Sequence, residues 1–389
     1  MPAKLVSLCR SLELIAAKEV SVLVMSKRLE GKIPVTLKDV AREAGVSNTT
    51  ASRVLTGKES PVLISDATRR RVEAAAAQLG YRPNLMARGL RTQRSGTVGV
   101  LVADITDPFS AALIPEITSV FTARGYQFLL SHDAFDPHSG RAIDRLLGSW
   151  VDGLLVLGDD VLGREAEAEV LAHHRHMVGV ARTRENTLIP SVNIDDALGI
   201  RLALEHLLAL GHRHIGFVGN RLTWDMNRRL QVFLAEMAER GLAVPPEVIA
   251  LVPHSAAGGY AAASRLLAAK APLTAILCAA DLLALGALCA LQEAGRQVPH
   301  SISVVGFDDI PLAAYTTPPL TTVRQPVVAL AGTAATLLLD AIEGVTTQAE
   351  GNGLIRQAAA EVAPPLNDPG NVLLIPELIV RRSTAMAPK

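Results

Sequence analysis

Aromatic residues make up only 3% of this 389-residue chain, and cysteine occurs three times. Cys9, Cys278 and Cys289 are too few and too scattered for a disulfide framework, and they fit a reducing cytosol. No apolar run approaches the ~18 residues of a membrane span, so no membrane partner is expected. The fairly apolar stretch at residues 5–25 is interrupted by Arg10, Glu13, Lys18 and Glu19, and no small-residue cleavage site follows. That disfavours a signal peptide. Residues 1–35 read as an N-terminal extension, with Met25 as an alternative start. The chain also lacks a Gly-x-x-x-x-Gly-Lys-Ser/Thr loop, a Gly-x-Ser-x-Gly elbow and a Cys-x-x-Cys pair. Nothing in it demands catalysis, a metal or a cofactor.

Apolar residues are plentiful at 49%, enough for sizeable cores in two or three domains. Formal net charge is zero, but the charge is unevenly placed. Residues 27–94 carry 14 basic and 6 acidic side chains, a net of +8, whereas the chain beyond residue 94 is net −9. A basic head on an acidic body is the footprint of a nucleic-acid-binding module. Within that head, residues 36–80 read as three short helices. Thr36 and Asp39 form a capping-box pattern, and Leu37, Val40, Ala41 and Ala44 share one helical face. Gly45 supplies a turn. Ser47 caps a second helix running from Asn48 to Leu55, and Ser65 caps a third that stops at Gly80. Helix, tight glycine turn, helix is the helix-turn-helix arrangement, with the small Ala41 permitting a close crossing. The segment after Pro83 is basic and too short to hold a helix alone.

From Thr97 onward, apolar strand-like runs alternate with amphipathic helical stretches. The strand candidates are 98–103, 127–131, 153–157, 177–181, 214–219, 248–252, 275–279 and 303–307, with a last strand at 372–380. The helical candidates include 195–210, 224–240, 258–269 and 281–294. Such alternation predicts parallel sheets covered by helices, arranged as two similar lobes with a ligand cleft at the strand C-termini. The fold class is therefore α/β with an all-α head. The expected domains are a helix-turn-helix at 36–83, a hinge at 84–95 and a two-lobed body at 96–389.

The string from Thr36 to Leu55, TLKDVAREAGVSNTTASRVL, resembles the head of the LacI/GalR family of bacterial transcription regulators. The likeness continues through Gly80–Asn84, Val98–Phe109, Gly211–Gly216, Ser303–Asp309 and Pro319–Thr322. The resemblance implies a cytoplasmic regulator in which a small-molecule effector, bound between lobes like those of periplasmic binding proteins, controls affinity for an operator. Operator DNA would be a pseudo-palindrome read by a homodimer, with a tetramer as the alternative. In that reading the second helix enters the major groove. Asn48, Thr49 and Arg53 fall on the family's reading positions. Asn can pair bidentately with adenine and Arg with guanine. Thr50 and Ser52 cap or touch phosphate rather than read bases, and Ser47, the helix cap, is counted with the DNA-binding residues. Leu90 takes the place of a leucine that wedges into the minor groove, with Arg91 and Arg94 beside it for phosphates.

At the effector end, the resemblance points to Phe109, Arg182, Asp195, Arg229, His254, Asp281 and Asp308. Arg229 would hold the ligand, Asp308 would accept from its hydroxyls, and Phe109 and His254 would wall it. Two arginines at one pocket raise the expectation of an anionic effector, a sugar acid or sugar phosphate, beside a plain sugar. Residues 332–339, with helices near 111–124 and 141–150, are candidates for the dimer face. A solute-binding or sugar-processing protein on the same body fold is the alternative; the basic head argues against it.

Overall fold

A computed structural model describes residues 35–56, 64–81, 94–132, 143, 146, 151–158, 164–173, 176–182, 188–221, 223–269, 272–345 and 371–388. The chain divides into two compact units, residues 1–87 and 88–389, a boundary inside the expected hinge. Leu90 and Arg91 lie outside the described residues.

The first unit holds α1 (Leu37–Glu43), α2 (Asn48–Thr56) and α3 (Asp66–Leu79). Thr36 and Asp39 make the reciprocal capping box, and Ser47 and Ser65 accept from the amides of Thr50 and Thr68. Gly45 (φ +62°) makes the turn between α1 and α2, and Gly80 (φ +64°) ends α3, both in the left-handed region that glycine occupies without strain. Val40, Ala41, Ala51, Val54, Val72, Ala75 and Ala76 close a small core. With alanine at four of these seven positions, the helices can approach closely.

The second unit has two lobes. In chain order its elements are β1 (Thr97–Val102), α4 (Pro108–Ala123), β2 (Gln127–His132), β3 (Leu154–Leu157), α5 (Arg164–His173), β4 (Met177–Val180), β5 (Ser191–Ile194), α6 (Asp196–Ala209), β6 (Ile215–Gly219), α7 (Trp224–Glu239), β7 (Ile249–Leu251), α8 (Ala256–Ala268), β8 (Ala275–Cys278), α9 (Asp281–Glu293), β9 (Ser303–Asp308), β10 (Thr321–Arg324), α10 (Val327–Glu343), β11 (Asn371–Leu374) and β12 (Glu377–Ile379). The sheets run β11-β5-β4-β3-β1-β2 and β12-β10-β9-β8-β6-β7. All pairings are parallel except β10 with β12. The inner strands β3, β4, β6, β8 and β9 are buried along their whole length, as sheets covered on both faces require.

The last strand departs from the expectation. The run at 372–380 is two strands, not one. Pro376 has no N–H for a ladder and restrains Ile375 before it, so pairing stops there. β11 extends the first sheet and β12 the second. The chain thus crosses between lobes three times, at Ile194–Asp196, Gln325–Val327 and Leu374–Glu377. The tail after β12 is strapped to the second lobe. Ser383 Oγ accepts from the Thr321 amide at 2.8 Å, and the buried His212 holds the Ala385 carbonyl at 3.0 Å through Nε2.

The stretch 332–339, a candidate for the dimer face, turns four of its eight residues inward. It belongs to α10, whose Ala334, Ala335, Leu338 and Leu339 are buried within the chain, and Gly332 packs against Glu116 of α4. Arg124, the C-cap of α4, bridges Asp340 and Glu343 of α10.

Candidate functional site

Two regions carry functional chemistry, one in each unit, and each is built by helix and strand ends.

In the head, α2 begins at Asn48. Ser47 Oγ caps it, accepting from the Thr50 amide at 3.1 Å and lying 2.9 Å from the Thr50 hydroxyl. Ala51 and Val54 point into the core, which turns Asn48 and Thr49 to solvent and leaves Arg53 half-buried one turn on. Among the described residues Arg53 makes no ion pair. The N-terminal turn of α2 therefore offers an amide, a hydroxyl and a guanidinium along one exposed edge. Ser47 and Thr50 are mutually engaged by the cap.

In the body, a cavity of about 140 Å³ lies where the strand C-termini of both lobes meet. Residues just past β1, β3, β4 and β9 line it, namely Ala103, Gly158, Ala181 and Asp308 (the last closing β9 itself). Ala181 (φ +50°) and Asp308 (φ +115°) hold backbone conformations that side chains rarely adopt. Such strain costs about 1–3 kcal/mol each and persists where the surroundings over-determine it. Both fall on the cavity wall.

Phe109, Arg229, His254 and Asp308 all line this cavity. Arg229 projects from the second turn of α7 and is 3% exposed. Its Nε donates to Asp196 Oδ1 and its Nη1 to the Ala279 carbonyl, both at 2.7 Å. The guanidinium lies 3.8 Å from the Phe307 ring centroid, and Asp225 and Asp308 are each 3.7 Å from Nη1. Burial opposes its charge, but the three carboxylates outweigh that and hold it protonated above the ordinary arginine range. The same burial pushes the Asp196 and Asp308 carboxyls up, with Arg229 only partly offsetting it. Gln325 Nε2 donates to Asp308 Oδ1 at 2.7 Å.

Four buried polar atoms on this wall have no hydrogen-bond partner. They are Asp196 Oδ2, Thr223 Oγ1, His254 Nε2 and Gln325 Oε1. Buried polar groups are nearly always paired, and leaving one unpaired costs about 1–3 kcal/mol. Four around one cavity mark a site shaped for a polar ligand. Two belong to crossing segments, Asp196 after β5 and Gln325 after β10.

Three expected effector residues are placed elsewhere. Asp195 is the N-cap of α6, its Oδ1 accepting from the Leu198 amide at 2.9 Å. Its neighbour Asp196 is the one that faces the cavity, one position further along. Arg182 is 1% exposed, paired with Glu167 and bonded to the Gly158 carbonyl at 2.9 Å, so it braces the wall from behind. Asp281 is fully buried at the start of α9. Its Oδ2 accepts from the Ile310 amide at 2.9 Å and its Oδ1 from the Thr322 hydroxyl at 2.6 Å. It fastens the loop after β9, and burial raises its pKa to about 7.

The anionic-effector expectation rested on two arginines at one pocket; Arg182 is absent from the wall, and Arg229 is engaged by carboxylates. Asp104, Asp107, Asp196, Asp225 and Asp308 line the cavity against that single arginine. Sequence reasoning missed Asp196, Thr223, Asp225 and Gln325. The usable signal was the pair Asp225 and Arg229, one helical turn apart at the start of α7.

Residues 36–84 match the family described as "Bacterial regulatory proteins, lacI family", and residues 204–384 match a "Periplasmic binding protein-like domain". The HTH-type transcriptional repressor CytR of Escherichia coli K12 is 35% identical over 311 residues, covering 79% of this chain and 90% of CytR. The chain belongs to the LacI family. The HTH-type transcriptional regulator MalR of Streptomyces coelicolor is 34% identical over 365 residues, 90% of this chain and 97% of MalR. The structure of a Lac repressor dimer bound to operator and the anti-inducer ONPF is similar with a TM-score of 0.75 at 30% identity, covering 90% of this chain and 99% of that one. A complex of the transcriptional regulator CelR with cellobiose gives a TM-score of 0.62 at 29% identity, covering 90% and 99%. This LacI-family protein is accordingly a helix-turn-helix transcriptional regulator with an effector-binding body.

Proposed function

We propose that this regulator binds a pseudo-palindromic operator as a homodimer and releases or grips it according to a polyhydroxylated effector held in the body cavity. Asn48, Thr49 and Arg53 read base edges, while Ser47 and Thr50 shape the helix start that presents them. Leu90 and Arg91 are assigned the minor-groove wedge and a phosphate contact on the strength of the family resemblance. The observation that carries the effector half is the set of four unpartnered polar atoms around one cavity, two of them on segments that cross between lobes. A ligand satisfying Asp196 and Gln325 binds to the segments that cross between the lobes. It therefore distinguishes one lobe arrangement from another, which an effector must do to shift an equilibrium. Carboxylates outnumber the one arginine on the wall, so the ligand is rich in hydrogen-bond donors and carries no carboxylate or phosphate. Support for a sugar comes from the similar CelR complex with cellobiose and from a LacI-family structure with bound ribose from Enterococcus faecium, with a TM-score of 0.60 at 27% identity.

The test is capture of fragmented genomic DNA by the purified chain, sequenced with and without a metabolite pool. One enriched pseudo-palindrome, lost or gained on adding the pool and weakened steeply by salt, is the expected result. No enrichment under either condition overturns the reading. A sugar-processing enzyme on this fold would instead turn over a bound sugar.

A further inference from the structure

We infer that the effector of this cavity carries a cationic amino group on its polyol frame, as an amino sugar does. The inference rests on the effector reading above and deepens it.

The wall holds five carboxylates, those of Asp104, Asp107, Asp196, Asp225 and Asp308, and one guanidinium. Arg229 cannot balance them. Its Nε and Nη1 are committed to Asp196 and Ala279, and its face lies over Phe307. Asp104 and Asp107 each turn an oxygen to a local backbone amide, Thr106 at 2.7 Å and Ser110 at 2.9 Å, and among the described residues neither makes an ion pair. Two further observations point to a ligand donor. Asp196, 1% exposed, has its Oδ2 unpartnered, and Gln325, 3% exposed, has its Oε1 unpartnered. Both atoms only accept hydrogen bonds. The orientation of Gln325 is fixed because its Nε2 donates to Asp308.

A neutral sugar hydroxyl can donate to these acceptors, but it leaves the negative charge in place. An ammonium brings three donors, no acceptor and the missing positive charge. It also makes charge-assisted bonds, which are about twice as strong as neutral ones. Burial disfavours the charged forms of Asp196 and Asp308, and a cation placed beside them would offset that cost.

The test is isothermal titration of the full chain with matched ligands. These are glucosamine against glucose and glucuronate, galactosamine against galactose and galacturonate, and mannosamine against mannose and mannuronate. In the set that fits the ring, the amine is expected to bind about tenfold tighter than its parent or more, as one charge-assisted hydrogen bond provides. The acid is expected not to bind. Raising NaCl from ~50 to ~500 mM should weaken the amine and spare the parent. In Asp225→Asn the amine should lose most of its advantage. Parent sugars binding as tightly as their amines would overturn the inference and leave the effector reading standing; acids binding best would overturn the inference together with the exclusion of carboxylates from the ligand. No ring binding in any form would overturn both.

Discussion

Replacing Arg229 with methionine keeps an apolar side chain against Phe307 and removes the one cation from the cavity wall. Asp196 loses its bond at 2.7 Å, the Ala279 carbonyl loses its donor at 2.7 Å, and Asp225 and Asp308 lose a positive charge 3.7 Å away. Breaking a buried pair by removing one partner costs about 3–5 kcal/mol, because the other charge stays buried. That is a large share of the ~5–15 kcal/mol by which domains are stable. The loss has a definite pH signature. Asp196 and Asp308 already sit above the ordinary carboxylate range, and without Arg229 they rise further. A carboxyl raised in the folded state favours folding fully below its unfolded pKa of about 3.9, and that contribution disappears as pH rises through the folded value. The variant is therefore penalised most at pH 8, and at pH 5.5 its loss is smaller by at least ~1 kcal/mol. Urea unfolding at both pH values reads this, followed by the fluorescence of Trp150 and Trp224, which both belong to the body. A loss below ~1 kcal/mol at pH 8, or an equal loss at both pH values, would refute the charge-balance reasoning.

Other consequences are checked separately. Asp281, with its pKa near 7, makes the wild type lose stability between pH 5 and 8, and Asp281→Asn should flatten that slope in a thermal scan; an unchanged slope removes the assignment. A methyl group on Gly286 would meet the Ala256 carbonyl oxygen at 1.8 Å, so Gly286→Ala forces α8 and α9 apart. It should cost about 3 kcal/mol and lower Tm by about 5–10 °C in calorimetry. Arg53→Ala should cost about 1–3 kcal/mol on the specific operator and relax one base preference, read by binding to a set of single-base variants.

How much of this was legible follows from what each element buries. The inner strands announce themselves because both faces are covered and nearly every position is apolar, Ser303 and Asp308 at the ends of β9 excepted. β5 and β10 escaped notice because their polar residues find partners only in the folded chain. Asn193 Oδ1 accepts from the Arg182 amide, and the Thr322 hydroxyl bonds to Asp281. A run such as Thr-Thr-Val-Arg looks like a loop until the carboxylate forty-one residues away is in place. The head was readable in detail because capping boxes, glycine turns and small-residue crossings are local. The cavity was half readable. Phe109, Arg229, His254 and Asp308 came from a resemblance, while Asp196 was displaced by one position to Asp195. On a helix start, one step decides between capping the helix and facing the ligand. Pro376, plainly visible in the sequence, already carried the signal that the last strand is two.

The triple crossing has a consequence for how the molecule is made. Each lobe is assembled from two stretches of chain, separated by about 130 residues in the first lobe and about 50 in the second, so neither sheet is complete until synthesis is nearly over. The first sheet gains its edge strand only at Asn371–Leu374, and the second gains β12 and its strap only afterwards. On a ribosome the DNA-reading head is finished hundreds of residues before the body that governs it. A message broken near codon 345 would yield that head beside a body missing an edge strand from each sheet. Such a product would retain the reader helix and lose the effector response, and a cell that accumulated it would have a regulator deaf to its signal.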